Sequence, residues 1–115
     1  MTKLENKVAF ITGASRGIGK AIAISFAKAG AKLALCASNE ELLKKVSSEI
    51  EALTGQKPLY FAFDIREAKN IDEAVKKTLD TYSRIDILVN NAGTTRDQLL
   101  ALMSEEDWIS FFRQI

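Results

Sequence analysis

The apolar residues of this chain change their spacing repeatedly, from short continuous runs to the three- and four-residue intervals of an amphipathic helix. Four β-prone runs are predicted as strands, and helical spacing follows each of the first three. These runs are residues 8–12, 32–37, 59–63 and 85–89. No hairpin signal separates them, so the strands should pair in parallel through right-handed crossovers. The alternation therefore predicts an α/β fold built on a doubly wound parallel sheet.

The predicted helices have recognisable starts and ends. The first begins at Gly17 and ends before Gly30, with Ile18 opening its buried stripe. The second and third begin with capping boxes, in which Ser or Asn is followed three residues later by Glu. These boxes are Ser38 with Glu41 and Asn70 with Glu73. The apolar face of the second helix extends to Leu53, and a fourth helix is expected from Ser104.

Composition excludes several classes of function. The 115 residues are the size of one domain, residues 1–115, and a net charge of +1 without a basic stripe favours neither nucleic acid nor a membrane as partner. The single cysteine, Cys36, fits a reducing compartment and is expected to be a buried small hydrophobe. There is no histidine, the commonest metal ligand and general base, so no metal site is predicted. Without a signal-peptide core or an apolar run that could cross a bilayer, we expect a cytoplasmic protein or part of one.

Glycines concentrate where the first strand meets the first helix, at Gly13, Gly17 and Gly19. The first N–H groups of a helix lack intrahelical partners, and together with the helix dipole they form an anion site. Gly13 would permit the tight turn, Gly17 would leave space beside a pyrophosphate, and Gly19 would allow close packing of helix and strand. The spacing T-G-x-x-x-G-x-G differs from the usual G-x-G-x-x-G. A dinucleotide site is favoured, and a purely steric turn is the alternative.

Three ordered segments resemble the short-chain dehydrogenase/reductase family. Residues 12–19 resemble its cofactor loop, Asp64 resembles its acidic residue at the adenine, and residues 90–93 resemble its N-N-A-G segment. More narrowly, "TGASRGIGKAIA" and "NNAGTTRDQLLALM" are similar to the 3-oxoacyl-[acyl-carrier-protein] reductases of bacteria and plastids. The resemblance covers nearly the whole chain and implies a Rossmann-like sheet, of which these residues supply strands one to four.

The resemblance also implies a set of cofactor-binding residues. The glycine loop would hold phosphates and ribose, Asp64 and Ile65 would contact the adenine, and Asn91 would contact the adenosine-side ribose region. Asp64 could instead favour the helix that follows it, and Asn90 could close an Asx turn. The predicted set is Gly13, Ala14, Ser15, Arg16, Gly17, Ile18, Gly19, Ser38, Asp64, Ile65, Asn90, Asn91, Ala92 and Gly93.

The end of the second strand bears on the choice between NAD and NADP(H). An acidic residue there would hold the ribose 2′-hydroxyl, whereas a basic neighbour suits a 2′-phosphate. The strand ends in Ala37 and Ser38, and Arg16 in the glycine loop can bind a phosphate with its forked donors. These residues favour NADP(H). Glu40 would reverse the preference if its carboxylate pointed into the site.

The family's catalytic Tyr-x-x-x-Lys pattern is absent from these residues. Tyr60 is followed at the fourth position by Asp64, and Tyr82 by Asp86, so both tyrosines are expected to pack half-buried beside strands. The family's assisting asparagine would fall near Ile115, which is apolar. No catalytic residue is therefore assigned. The fourth strand would be a sheet edge, and the chain a truncated domain of marginal stability if it is the whole molecule.

Three functions stay open. The resemblance implies NADPH-dependent reduction of 3-oxoacyl-[acyl-carrier-protein] in fatty-acid biosynthesis, with this chain as the cofactor-binding half, inactive alone. The alternatives are an inactive remnant that at most binds a nucleotide, and a reductase of another alcohol or ketone. For the complete enzyme the resemblance implies a homotetramer with a carrier-bound substrate. It also implies a cytoplasmic location, or a plastid one for a eukaryotic protein with a transit peptide, of which none is seen.

Overall fold

Strands and helices alternate throughout the part of the chain that the structure describes. The structure is a computed structural model, and it describes residues 3–64 and 67–91. The elements are β1 (Val8–Thr12), α1 (Gly17–Lys28), β2 (Lys32–Ala37), α2 (Glu40–Thr54), β3 (Leu59–Ala62), α3 (Ala68–Tyr82) and β4 (Ile87–Val89). The predicted alternation is confirmed, although β3 ends one residue early and β4 begins two residues late. The helix expected from Ser104 lies outside the described residues.

The four strands form one parallel sheet in the order β3-β2-β1-β4. In β1, Ala9 is paired with Leu33 of β2 on one side and with Ile87 of β4 on the other. This order matches one half of a doubly wound sheet, as the α/β prediction requires. Every residue of β1 is buried, whereas all three residues of β4 are half-buried, so within the described ranges β4 forms an edge.

Two apolar layers cover the two faces of the sheet. Because successive side chains of a strand point to opposite faces, Ile11 packs under α1 and α2, whereas Phe10 packs under α3. Cys36 lies in the α3 layer as a free, buried cysteine, as predicted, and burial raises the pKa of its thiol. The sheet is therefore covered on both faces, and polar residues follow the carboxyl ends of its strands.

The starts of α2 and α3 differ from the predicted capping boxes. Asn39, not Ser38, caps α2, since its Oδ1 accepts the N–H of Leu42 at 3.0 Å. The sequence "SNEE" offers two adjacent capping residues, and the one whose side chain reaches the first turn sets the start. Helix α3 begins at Ala68, so Asn70 lies inside its first turn.

Two apolar residues that were assigned to buried helix faces are exposed. Ile18 is 70% exposed and Leu53 is 58% exposed. Ile18 occupies the first turn of α1, and Leu53 lies in the last turn of α2. The buried stripes run instead through Ala23 and Ala27 in α1, and through Leu43, Val46, Ser47 and Ile50 in α2. The side chains of Ile18 and Leu53 therefore lie outside the apolar layers.

The amino ends of β1 and β4 are joined by Asp86. Its carboxylate accepts the Val8 N–H at 2.8 Å, and its own N–H donates to the Val8 carbonyl at 2.8 Å. The Arg84 guanidinium donates to both carboxylate oxygens at distances from 2.6 to 3.0 Å. Burial raises the pKa of Asp86, but the hydrogen bonds from Arg84 and Val8 and the charges of Arg84 and Lys7 outweigh it. The pKa therefore lies below its ordinary value of 3.8.

Candidate functional site

The loop between β1 and α1 is anchored to the neighbouring strand. Gly13 has a φ of +64°, a left-handed conformation that favours glycine and turns the chain sharply after β1. The Ala14 N–H donates to the Cys36 carbonyl at 3.2 Å, and the Ala14 side chain is fully buried. Ala14 therefore holds the loop against the carboxyl end of β2, and its contact with a cofactor stays a prediction. Ser15 is half-buried and Arg16 is exposed beyond it.

The amino end of α1 has the properties of an anion site. Arg16 is the N-cap residue with extended backbone, and its side chain makes no capping hydrogen bond. The N–H groups of Gly17, Ile18 and Gly19 have no intrahelical acceptor by the geometry of a helix. The first turn carries no acidic side chain, so no carboxylate within it competes for these donors. The arrangement favours a bound anion in front of the helix.

Gly19 packs directly against the glycine loop and against Asn91. A Cβ added at Gly19 would overlap the Gly13 carbonyl oxygen and would lie 2.8 Å from Asn91 Nδ2. At Gly17, where φ is +60°, an added Cβ would meet nothing within 4 Å. The close approach expected at Gly19 is therefore present, and it places the Asn91 amide next to the start of α1.

Thr12 joins the carboxyl ends of β1 and β4. Its Oγ1 accepts the Asn91 N–H at 2.9 Å and lies within donating distance of Asn90 Oδ1, at 3.1 Å, and of the Val89 carbonyl, at 3.4 Å. The sequence indicates no role for Thr12 beyond opening the motif. The sequence feature that could have indicated this contact is a hydroxyl residue at the end of a buried strand, with amide residues after another strand.

The remaining predicted residues follow the carboxyl ends of their strands. Ser38 follows β2 and is exposed, and Asp64 follows β3 and is half-buried. The Asp64 carbonyl accepts the Glu67 N–H at 3.2 Å and the Asn70 amide at 3.3 Å, which fixes the turn into α3. Carboxyl ends of parallel strands meet at one edge of the sheet, where α/β proteins bind ligands. Ile65, Ala92 and Gly93 lie outside the described residues.

Glu40 and the two tyrosines take the positions that the sequence suggested. Glu40 is the exposed first residue of α2. Tyr60 and Tyr82 are both half-buried, as expected. Burial raises the pKa of Tyr82, and a backbone hydrogen bond from Leu59 partly offsets that effect. The ring of Tyr82 lies under Lys32 at 5.7 Å, at the amino end of β2 and so at the edge of the sheet opposite the glycine loop.

Residues 3–64 and 67–91 contain no group of three or more His, Cys, Asp or Glu side chains that could hold a metal ion. Across the same ranges, each helix is too short or too polar to be a candidate membrane span.

Comparisons with known proteins agree with this geometry. A sequence profile described as short chain dehydrogenase matches residues 7–114. The 3-oxoacyl-[acyl-carrier-protein] reductase FabG of Thermotoga maritima is 45% identical over 92% of this chain and 43% of its own length. The 2,3-dihydro-2,3-dihydroxybenzoate dehydrogenase of Bacillus subtilis is 41% identical over 95% of this chain and 41% of its own length. This chain thus spans less than half the length of these curated relatives.

A solved structure gives the same result for the fold. The L-sorbose reductase of Gluconobacter frateurii, complexed with NADPH and L-sorbose, superposes with a TM-score of 0.77 at 31% identity. The match covers 100% of this chain and 48% of that protein. The glycine loop, the parallel sheet and the profile match over nearly the whole sequence lead to one conclusion: the chain belongs to the short-chain dehydrogenase family.

Proposed function

We propose that this chain is the cofactor-binding half of an NADPH-dependent reductase that converts 3-oxoacyl-[acyl-carrier-protein] to the 3-hydroxyacyl product in fatty-acid biosynthesis. The observation that carries the proposal is the amino end of α1, where N–H donors without an intrahelical acceptor, the glycine loop and Asn91 meet without an acidic side chain in the first turn. Relatives such as the Thermotoga maritima reductase support the substrate class. Bound NADPH would supply the hydride.

The residues present fit such a cofactor. The N–H donors of Gly17 to Gly19 would bind the pyrophosphate, since no acidic side chain in the first turn of α1 competes for them. Asp64 would accept from the exocyclic amine of adenine beside Ile65, and the segment from Asn90 to Gly93 would line the ribose side. Gly13, Ala14 and Ser15 would shape the loop that holds these groups together.

The preference for NADP(H) rests on two residues that would lie near the adenosine ribose of a bound cofactor. Strand β2 ends in Ala37, and the next residue, Ser38, is exposed and neutral. The end of this strand therefore carries no carboxylate that could bind a ribose 2′-hydroxyl. Arg16 is exposed at the start of α1, where its guanidinium can pair with a 2′-phosphate. The L-sorbose reductase, a relative of the same fold, is complexed with NADPH.

The catalytic residues of the complete enzyme would lie outside this chain. Neither tyrosine of these 115 residues has a lysine four positions later. We therefore expect the chain alone to oxidise no NADPH with a 3-oxoacyl substrate. The whole protein would be a cytoplasmic homotetramer that receives its substrate on acyl carrier protein.

Affinity for the two cofactors tests the site directly. The affinities for NADPH and NADH can be measured by titrations followed by cofactor fluorescence. The Arg16→Ala variant should bind NADPH about tenfold more weakly, because it loses one charged hydrogen-bonded contact. Its NADH affinity should change less than about threefold, because an exposed charged contact contributes little to binding. Lys28→Ala, which removes an exposed cation at the other end of α1, is the matched control. Equal losses for both cofactors would remove Arg16 from the 2′-phosphate role.

The second substrate class needs its own measurement. The Bacillus subtilis relative acts, by its name, on a cyclic dihydrodiol, and its identity to this chain is only slightly lower. The intact mass of the protein from its native source would first establish its length. The purified native protein should then oxidise NADPH with a 3-oxoacyl thioester. Reduction of NAD+ or NADP+ with a dihydrodiol, without NADPH oxidation with a 3-oxoacyl thioester, would replace the proposed substrate.

A further inference from the structure

The turn between β3 and α3 is fixed by hydrogen bonds on both sides of Asp64. On the strand side, the Phe63 N–H donates to the Ala37 carbonyl at 3.0 Å, which ties the residue before Asp64 to β2. On the helix side, the Asp64 carbonyl accepts the Glu67 N–H at 3.2 Å and Asn70 Nδ2 at 3.3 Å. A carbonyl oxygen has two lone pairs, so these two donors satisfy it. The backbone of Asp64 is therefore held between the end of the sheet and the start of α3.

The side chain of Asn70 closes this turn from inside the helix. Glu67, the N-cap residue, has an extended backbone, and its side chain makes no capping hydrogen bond. Asn70 is the third residue of α3, and its amide reaches backward to the Asp64 carbonyl and, at 3.4 Å, to the Glu67 carboxylate. Asparagine is a weak helix former, whereas its amide carries two donors. These contacts, and not helix propensity, therefore explain an asparagine in the first turn.

We propose that Asn70 is a positioning residue for the adenine end of the cofactor site, because its amide fixes the Asp64 backbone and with it the direction of the Asp64 carboxylate. The inference rests on the proposed function, in which that carboxylate accepts from the exocyclic amine of adenine. Such a hydrogen bond weakens steeply as its angle closes, so a small rotation at Asp64 would cost affinity. Asn70 is half-buried and directs its donors at the turn, so it acts through Asp64 and needs no contact with the nucleotide.

Two variants and one control separate this hydrogen bond from the stability of the helix. Asn70→Ala removes both donors but leaves the Glu67 N–H on the Asp64 carbonyl, so the turn is weakened and not lost. Alanine is also the better helix former, which offsets the lost contact, so the midpoint of urea unfolding should change little. Asn70→Gln keeps the amide on a longer side chain and should restore part of the effect. Lys69→Ala, at the exposed neighbouring position in the same turn, is the matched control.

A cofactor analogue without the adenine amine makes the binding test specific. In nicotinamide hypoxanthine dinucleotide phosphate an oxygen replaces the exocyclic amine, so the base offers no donor to Asp64 at that position. In fluorescence titrations with the reduced cofactors, Asn70→Ala should bind NADPH about 2- to 10-fold more weakly, the range for one neutral hydrogen bond. Its affinity for the hypoxanthine analogue should change by less than about twofold, since the contact that Asn70 positions is absent from that complex.

The other two proteins complete the comparison. Asn70→Gln should lie between wild type and Asn70→Ala for NADPH, and Lys69→Ala should match wild type for both cofactors. Equal losses of Asn70→Ala for both cofactors would mean a general effect on the site and would overturn the proposal. An unchanged NADPH affinity in Asn70→Ala would overturn it as well.

The wild-type protein separates failure of this inference from failure of the proposed function. If it binds neither cofactor, the proposed function fails. If it binds both equally well, Asp64 does not bind the adenine amine, which overturns the inference and leaves the proposed phosphate contacts in place.

Amide hydrogen exchange tests the turn without a cofactor. In Asn70→Ala the Glu67 N–H should exchange faster, because it shares its acceptor, the Asp64 carbonyl, with the deleted amide. The Asn91 N–H, bonded to Thr12 Oγ1 at the end of β1, should keep its rate. An unchanged rate at Glu67, or equal acceleration of both amides, would show that Asn70 does not hold this turn.

Discussion

Replacing Gly19 by alanine should damage the fold and the site together. The new Cβ would overlap the Gly13 carbonyl oxygen and lie 2.8 Å from the Gly13 carbonyl carbon, both backbone atoms. Backbone must move to make room, and overpacking of this kind costs up to about 3 kcal/mol. Alanine regains about 1 kcal/mol of helix propensity. The net loss in the free energy of unfolding should be about 2 kcal/mol.

The matched control is Gly55→Ala at the end of α2. Gly55 has a φ of +77°, and an added Cβ there meets nothing within 4 Å. Its cost is conformational alone, about 1 kcal/mol for a left-handed alanine. Gly55 also lies far along the chain from the glycine loop, so cofactor affinity should not change in this variant. The pair therefore separates a local effect on the site from a loss of stability.

Two assays decide the outcome. Urea unfolding followed by circular dichroism gives the free energy of unfolding by linear extrapolation. NADPH titration gives the dissociation constant, which should rise about tenfold in Gly19→Ala, because moving the loop costs at least one hydrogen bond to a charged phosphate. In Gly55→Ala it should be unchanged. A Gly19→Ala protein with wild-type stability and affinity would refute the packing argument.

Three more predictions follow from the polar contacts and the buried thiol. Thr12→Val should lose about 1–3 kcal/mol in urea unfolding, because the Asn91 N–H is left unpaired, whereas Thr12→Ser should lose less; equal losses would contradict the role of the hydroxyl. The folded-state pKa of Asp86 is lowered, so its contribution is complete above the ordinary value of 3.8 and disappears as pH falls through the folded pKa. Stability measured between pH 5 and pH 2 (about the range in which carboxylates titrate) should therefore fall less steeply in Asp86→Asn than in wild type. The raised pKa of Cys36 predicts that iodoacetamide labels the native protein far more slowly than the urea-unfolded protein, and comparable labelling rates would contradict its burial.

The sequence was sufficient for the element order because strands and helices have different apolar periods. It also located the glycine loop, since Gly13 falls between β1 and α1, and the binding of an anion there stays a prediction. It misplaced the start of α2, where Ser38 and Asn39 are adjacent capping residues and only the backbone conformation chooses between them. It could not predict the contact of Thr12 with Asn91, because 79 positions separate the two residues and no local pattern encodes the pairing.

The predicted burial of Ile18 was wrong for a related reason. Helical spacing gives the face on which a residue lies, but it does not say where the helix leaves the sheet. The buried stripe of α1 runs through Gly19, Ala23 and Ala27, and the Ile18 side chain in the first turn lies outside it. The same limit applies to Leu53 at the other end of α2.

The position of β1 between β2 and β4 has a consequence for the order of folding. Val8 pairs with Lys32 through a short crossover, whereas its bond to Asp86 closes a loop of 78 positions. Short loops close at lower entropic cost, so β1, β2 and β3 are expected to assemble before β4 joins them. Asn91 then reaches the glycine loop only in the last step. A nucleotide that needs Asn91 would bind only chains in which β4 has already paired with β1. During synthesis it would therefore stabilise the folded molecule and not its partly folded precursors.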